Sequence, residues 1–269
     1  MRLRTRNRIV LHCEEACAVV ALLRPRSGAQ QWVVAERYGI EPWVAATEYV
    51  DSFGNLCQRF TLPAGESVLD VQHETEVPDQ IEVDRRAQQV PPAQLPDEVL
   101  AYMLQSRYCP SDKMSERARE IVQGCPPGYA QAERIADWIS DHIEYRYGVS
   151  EESTCALDTL EDGAGVCRDF AHVGIALCRS LMLPARFVVG YLHGLEPMDM
   201  HAWYEVFLGG RWYAFDATQA EPRGGRVVVA HGRDAADVAF LSNYGPLEVV
   251  EMDVSVTPVD LSPGTAAAR

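Results

Sequence analysis

Three short segments of the sequence carry a thiol, an imidazole and a carboxylate in a fixed order. Cys167 follows a glycine-rich turn, His201 opens a later segment, and Asp216 closes the segment after that. A cysteine activated by a histidine that a carboxylate orients is the machinery of nucleophilic acyl transfer. If these three side chains meet in space, the pattern predicts an enzyme that acts on amides or esters.

The residues around Cys167 favour a reactive thiol. Apolar residues at helical spacing predict a helix from Cys167 to Leu181, which the following Leu183-Pro184 ends. The unpaired N–H groups at the start of a helix stabilise a thiolate, and the N–H of Cys167 is free to bind an oxyanion. Taken alone, Cys167 could equally be a structural cysteine, so the interpretation depends on its partners.

The spacing of His201 and Asp216 gives a physical reason for the two side chains to meet. Gly209-Gly210 predicts a tight hairpin between two strands. The hairpin register places Asp216 opposite Trp203, two positions from His201 and within side-chain reach of it. The alternatives are a histidine bonded to backbone at a strand start and an aspartate in an Asx turn.

Composition and charge exclude several classes of protein. The chain has 269 residues, of which 47% are hydrophobic and 23% charged, as in a soluble globular protein, and its net charge is −15. Such a surface repels phosphate backbones, so we expect no nucleic acid partner. We expect no membrane partner, because no apolar run approaches the roughly 18 residues of a membrane span. Eight cysteines without a C-x2-C pair or a signal peptide predict free thiols and a cytoplasmic location.

The composition changes along the chain in a way that predicts two domains. Residues 1–92 alternate short β-rich runs with turn-forming residues, which predicts a β-sandwich-like N-terminal domain. A proline-dense stretch that ends at Pro96 predicts a linker. Residues 97–260 mix helical and strand patterns and contain all three candidate catalytic residues. Residues 261–269 are small and polar, so we predict a flexible tail.

Four strings of the sequence closely resemble the transglutaminase-like superfamily. They occur in order across residues 130–220 and are GAGVCRDFAH at 163–172, PARFVVGY at 184–191, HAWYEV at 201–206 and WYAFDAT at 212–218. They are more narrowly similar to a bacterial transglutaminase-like group often described as cysteine proteases, and the β-rich N-terminal part is similar to the N-terminal region of that group. The resemblance implies an α+β fold with a papain-like core of helices packed on an antiparallel sheet.

The resemblance also implies a catalytic triad of Cys167, His201 and Asp216 that forms a thioester with a peptide or protein amide substrate. Water as acceptor would make the protein a peptidase or amidase, the reading that we favour, and an amine would make it a protein-glutamine transamidase. A non-catalytic binding or scaffold protein on the same fold is the remaining alternative. Animal transglutaminases commonly need calcium, but the chain has no D-x-D-x-D-G loop, so we expect no metal and no cofactor. The oligomeric state stays open, with a homodimer among the options.

Three further residues are candidates for binding the substrate or its oxyanion. Val166 and Arg168 flank the proposed nucleophile at the start of the predicted helix. Trp138 is a candidate because animal transglutaminases use an indole upstream of the cysteine for this purpose, although its helical spacing favours a core role. His172 lies around the helix from Cys167, and we interpret it as structural.

Overall fold

The computed structural model describes residues 1–28 and 30–259, and the tail predicted for residues 261–269 lies outside that part of the chain. The described residues form an α+β fold with three four-stranded antiparallel sheets and a few helices, as predicted. The strands are β1 (Arg2–Cys13), β2 (Cys17–Arg24), β3 (Trp32–Glu41), β4 (Thr47–Val50), β5 (Leu56–Leu62), β6 (Gly65–Glu76), β7 (Glu144–Tyr145), β8 (Ala164–Gly165), β9 (Ala185–Leu192), β10 (His201–Leu208), β11 (Arg211–Phe215), β12 (Arg226–Gly232), β13 (Leu241–Asn243) and β14 (Leu247–Pro258). The helices are α1 (Asp97–Leu100), α2 (Ser115–Ile121), α3 (Tyr129–His142), α4 (Ala156–Asp162) and α5 (Cys167–Ser180).

Two of the sheets pack on one another. Their strand orders are β14-β1-β6-β3 and β13-β2-β5-β4, and the inward residues of both share one hydrophobic cluster. Ile9 and Leu69 enter that cluster from the first sheet, and Val19 and Phe60 enter it from the second. Alternation along each strand produces this arrangement, because successive side chains of a strand point to opposite faces.

The last two strands depart from the predicted domain boundary. The composition change predicts that residues 97–260 form the second domain, but β14 pairs with β1 and β13 pairs with β2. The C-terminal strands therefore return to the N-terminal sheets and complete them. The main hydrophobic core also joins residues of both halves, including Leu3, Val77 and Val256.

The third sheet has the order β11-β10-β9-β12, and α5 packs across β10. Gly174 makes this close approach possible, because a Cβ at Gly174 would lie 2.4 Å from the Tyr204 ring. Helices α2, α3 and α4 pack around α5. Helix α1 ends at Leu100 and continues as a 3-10 turn, in which Tyr102 packs edge-on against Trp212.

Two side chains from the N-terminal half cover the outer edge of the third sheet. β12 is an edge strand, and Gln31 both donates to the Val228 carbonyl and accepts from the Val228 N–H, at 2.8 Å each. Asn55 makes the same pair of bonds with His231, at 2.9 Å each. These contacts fix the third sheet against the N-terminal sheets and satisfy backbone groups that would otherwise stay unpaired.

Candidate active site

The start of α5 holds Cys167 in a rigid position. Val166 is the N-cap residue, and its N–H donates to the fully buried Asp169 carboxylate at 2.9 Å. Gly165 leaves room for this cap, since a Cβ there would lie 2.8 Å from the Asp169 Cβ. Cys167 is the first helical residue, so its N–H has no acceptor within the helix, and its thiol lies at the positive end of the helix dipole.

The hairpin of β10 and β11 brings His201 and Asp216 together. The observed register pairs Tyr204 with Phe215, which is the register that the sequence predicts. His201 is the first residue of β10, and its Nε2 lies 2.7 Å from Asp216 Oδ2. Both side chains are buried, so water does not compete for this hydrogen bond.

Several donors fix the Asp216 carboxylate. The Thr218 hydroxyl donates to Oδ1 at 2.7 Å, and the Thr218 N–H donates to the same oxygen at 3.2 Å. Arg226 Nη1 lies 2.9 Å from Oδ2 and forms an ion pair without the alignment of a hydrogen bond. Burial alone would raise the pKa of Asp216, but His201, Arg226 and Thr218 together hold that pKa well below its usual range. Asp216 is therefore an anion at neutral pH.

The charge on Asp216 determines the state of His201. Burial would lower the pKa of His201, but hydrogen bonds and charge interactions with Asp216 and Cys167 outweigh it and raise the pKa to about 9. The structure thus joins His201 and Asp216 in a hydrogen-bonded pair, and Cys167 lies near enough to act on the pKa of His201. Chemically, this arrangement can hold a thiolate beside an imidazolium.

The three secondary candidates lie in different surroundings. The Val166 N–H is occupied by Asp169 and is not free for an oxyanion. The Arg168 guanidinium bonds Asp169, the Ser150 hydroxyl and the Glu151 carbonyl, which makes it part of the framework around the helix start. The Trp138 indole packs against the core and stacks on His142, with 4.4 Å between the ring centres.

Sequence reasoning missed Arg226. Its side chain is 7% exposed, it pairs with Asp216, and its guanidinium lies 5.0 Å from the centre of the Trp203 ring. Arg226 comes from β12, whose place beside β9 has no local signal in the sequence. Gly190 of β9, within one of the recognised strings, permits this close approach, because a Cβ there would meet the Val227 carbonyl oxygen at 2.0 Å.

A groove of about 360 Å³ runs beside Asp216. Asp216 lines it from one side, and Tyr129, Glu133 and Asp137 of α3 line it from the other. Arg85 neutralises Glu133 through an ion pair of 2.8 Å, and Asp137 adds a second carboxylate. The groove therefore offers a negatively charged approach to the site.

Two other features of the described residues bear on possible functions. In residues 1–28 and 30–259, no cluster of three or more His, Cys, Asp or Glu side chains is placed to hold a metal ion. Every helix in that same part of the chain is too short or too polar to cross a membrane.

Comparison with known proteins identifies the class. Residues 115–217 match the model of the transglutaminase-like superfamily, and residues 15–78 match that of the bacterial transglutaminase-like N-terminal region. A crystal structure from Cytophaga hutchinsonii, described as a "Putative Cysteine Protease", is 31% identical in sequence. The match covers 97% of this chain and 91% of that chain, with a TM-score of 0.90. The chain belongs to the transglutaminase-like superfamily.

Curated relatives span nearly the same length. An uncharacterised protein of Mycobacterium leprae is 28% identical over 255 residues, which cover 88% of this chain and 89% of the relative. An uncharacterised protein of Mycobacterium tuberculosis is 28% identical over 269 residues, covering 88% of this chain and 86% of the relative. The two-part organisation described above is thus matched over most of each relative.

Proposed function

We propose that this protein is a cysteine-dependent acyl-transfer enzyme that cleaves amide or peptide bonds through a thioester. The observation that carries the proposal is the buried His201–Asp216 hydrogen bond of 2.7 Å, placed beside a thiol at the start of α5. A thiol alone at a helix N-terminus is weak support. A thiol close to a histidine that is hydrogen-bonded to an ionised carboxylate is much stronger support for nucleophilic catalysis.

In the first half-reaction, the Cys167 thiolate attacks the carbonyl carbon, and the electron pair of the C=O bond moves to oxygen. The resulting intermediate collapses, the C–N bond breaks, and the His201 imidazolium gives its proton to the leaving amine. In the second half-reaction, neutral His201 takes a proton from water, and the hydroxide attacks the thioester. The products are a carboxylic acid and the regenerated Cys167–His201 pair. Asp216 holds the imidazole orientation throughout and stabilises its charged form.

Water is the acceptor that we favour, which makes the protein a peptidase or amidase. The description of the Cytophaga hutchinsonii relative as a "Putative Cysteine Protease" supports this choice. The second candidate is a protein-glutamine transamidase, in which an amine replaces water. The groove carries the carboxylates of Asp137 and Glu221 in addition to the Arg85–Glu133 pair, and these favour that candidate because they would attract an ammonium group toward the site.

The decisive test combines labelling and trapping. Iodoacetamide at pH 7 is expected to alkylate wild-type Cys167 much faster than the other seven cysteines, and His201→Ala is expected to abolish that preference. Cys125, which is half-buried like Cys167, supplies the matched control through Cys125→Ala. A binding or scaffold protein without turnover would show no preferential alkylation and no acyl-enzyme.

Mass spectrometry then identifies the acceptor. Peptide mixtures are incubated with wild-type protein and with Cys167→Ala, each with and without a primary amine. An acyl adduct on Cys167 that resolves to free acid supports the hydrolase, and one that resolves to an amide of the added amine supports the transamidase. Cleavage that persists in Cys167→Ala would contradict the mechanism.

A reducing compartment such as the cytoplasm suits this chemistry. All eight cysteines are unpaired in the structure, including buried ones. A nucleophilic thiol also needs to stay reduced between turnovers.

A further inference from the structure

The two-residue strand β7 places Tyr145 beside the start of α5. β7 pairs in parallel with β8, and Tyr145 is in register with Gly165, two residues before Cys167. Backbone hydrogen bonds of 2.9 Å on both sides of Tyr145, from Glu144 to Gly163 and from Arg146 to Gly165, fix this register. Tyr145 is therefore attached to the same short segment that presents the proposed nucleophile.

The side chain of Tyr145 turns toward Cys167. Its ring centre lies 5.8 Å from that of Phe170 in the first turn of α5, and the phenol is close enough to Cys167 for the charge and the backbone N–H of Cys167 to act on its pKa. Burial first, and then the neighbouring Cys167 and Tyr147, raise the pKa of Tyr145 above its usual value. The phenol therefore keeps its proton and can donate it in a hydrogen bond. The residue is still 42% exposed, so a substrate can reach it.

The other candidate oxyanion donors do not fill this position. The Val166 N–H is committed to Asp169, the Arg168 guanidinium to its own framework bonds, and the Trp138 ring to His142. The Cys167 N–H is left as one donor, and stabilising an oxyanion commonly takes two. The register of β7 with β8 and the ring contact with Phe170 place the Tyr145 side chain at the same end of α5 as the Cys167 N–H, where both can donate to one oxygen.

We propose that the Tyr145 hydroxyl is a catalytic hydrogen-bond donor that, together with the Cys167 backbone N–H, binds the oxyanion formed when the thiolate attacks the substrate carbonyl. This inference rests on the proposed function. During attack, the S–C bond forms and the carbonyl electron pair moves to oxygen, where both donors meet the new charge. The oxyanion then returns its electron pair to carbon and the leaving group departs, while Tyr145 keeps its proton throughout.

The test separates reactions that form an oxyanion from a reaction that does not. Iodoacetamide alkylation is a displacement at a saturated carbon, so it reports the thiolate and its histidine without needing an oxyanion site. Acylation by p-nitrophenyl acetate passes through a tetrahedral oxyanion and releases p-nitrophenolate. Both rates are measured on wild type, Tyr145→Phe and the exposed control Tyr244→Phe. Phenylalanine keeps the ring contact with Phe170, and equal alkylation confirms an intact site.

We expect Tyr145→Phe to slow acylation by about 10²-fold, the usual effect of losing one oxyanion donor, and to leave alkylation within about twofold of wild type. Tyr244→Phe is expected to change neither rate. Acylation of Tyr145→Phe within about threefold of wild type would overturn the inference. An equal fall in both rates would also overturn it, because Tyr145 would then act on the reactivity of the Cys167 thiolate. Wild-type protein that is alkylated at Cys167 but never acylated would overturn the proposed function itself, and this inference with it.

Discussion

His201 and His172 are both buried in the same half of the molecule, but their imidazoles lie in opposite electrostatic surroundings. His172 is in the second turn of α5, stacked on Tyr108 with 5.0 Å between ring centres, and its Nε2 accepts the Ala235 N–H at 3.2 Å. Burial lowers the pKa of His172 to about 3, whereas that of His201 rises to about 9. One imidazole is a neutral structural acceptor and the other a cation.

The difference shows that burial does not determine the charge of a histidine by itself. Burial disfavours the charged form of both residues, and the His201 pKa rises because Asp216, bonded directly to its ring, and Cys167 outweigh burial. His172 also has a carboxylate nearby, but Asp169 is already bonded to Arg168 and to the Val166 N–H. No hydrogen bond joins Asp169 to the His172 ring, so its charge acts only from a distance and does not outweigh burial.

Removing the anion beside His201 is expected to have the largest effect. Asp216→Asn keeps the shape of the side chain but loses the charge and favours the wrong imidazole tautomer, so kcat should fall by about 10³- to 10⁴-fold. The measurement is amide or ester turnover at pH 7. Asp70→Asn, which removes a carboxylate paired with Arg6 in the N-terminal sheets, should leave kcat unchanged. Loss of less than tenfold in Asp216→Asn would show that His201 does not depend on this carboxylate.

The raised pKa of His201 predicts the alkaline limb of the pH profile. The imidazolium donates a proton to the leaving amine, so amide turnover should fall as the pH rises through about 9, by about tenfold per pH unit beyond it. A stopped-flow or steady-state profile from pH 6 to 10.5 measures this. An alkaline limb near pH 6.5, the ordinary value for histidine, would contradict the contrast drawn with His172.

Arg226→Gln is expected to weaken the stabilisation of the Asp216 anion beside His201 without removing that anion. Asp216 keeps its bonds to His201 and Thr218 but loses a buried cation, so we expect kcat to fall about fivefold and the free energy of unfolding to fall by about 2 kcal/mol. Turnover assays and urea unfolding test both effects. Arg211→Gln is the control, because the ion pair of Arg211 with Glu82 is exposed and should contribute little. Equal effects of the two variants would mean that the Arg226–Asp216 ion pair contributes no more than an exposed one.

His172→Phe tests the structural histidine. Phenylalanine keeps the stacking on Tyr108 but leaves the partly buried Ala235 N–H without its acceptor, so the free energy of unfolding should fall by about 2 kcal/mol while kcat stays within about threefold. Urea unfolding and turnover are again the measurements. A loss of turnover comparable to that of Asp216→Asn, with unchanged stability, would place His172 in the catalytic machinery.

The acid dependence of stability gives the smallest predicted effect. The pKa of His172 is about 3 in the folded protein and about 6.5 in the unfolded chain, so the unfolded chain binds more protons between these values. The stability that neutral His172 provides is therefore lost as the pH falls below 6.5. Between pH 7 and 5.5, the wild type should lose about 1 kcal/mol more than His172→Phe. His73 and His231, whose pKa values burial lowers to about 4, add losses of the same sign to both proteins, so an equal loss would refute the assignment.

Local patterns predicted the parts of the site that depend on local structure. The Gly209-Gly210 hairpin fixes which residue lies beside His201, and the start of α5 follows from apolar spacing around Cys167. The partners that arrive from distant segments had no such signal. Arg226 reaches Asp216 through the pairing of β12 with β9, and Tyr145 reaches Cys167 through a strand of only two residues.

The same limit explains the domain boundary and the oxyanion candidates. The pairing of β14 with β1 joins segments at opposite ends of the described chain, so no window of neighbouring residues could reveal it. The Val166 N–H is a candidate oxyanion donor from the sequence because unpaired N–H groups are expected at a helix start. The Asp169 side chain folds back to take that N–H, which depends on a buried geometry that spacing alone does not show.

The carboxamides of Gln31 and Asn55 bond to β12 as the backbone of a neighbouring strand would. Each carries an N–H and a C=O side by side, as a peptide unit does, and each completes one rung of a ladder along β12. The N-terminal half thus covers the edge of β12, where another strand could otherwise pair. A third sheet separated from the N-terminal half would present the edge of β12 to any extended chain, including its own copies.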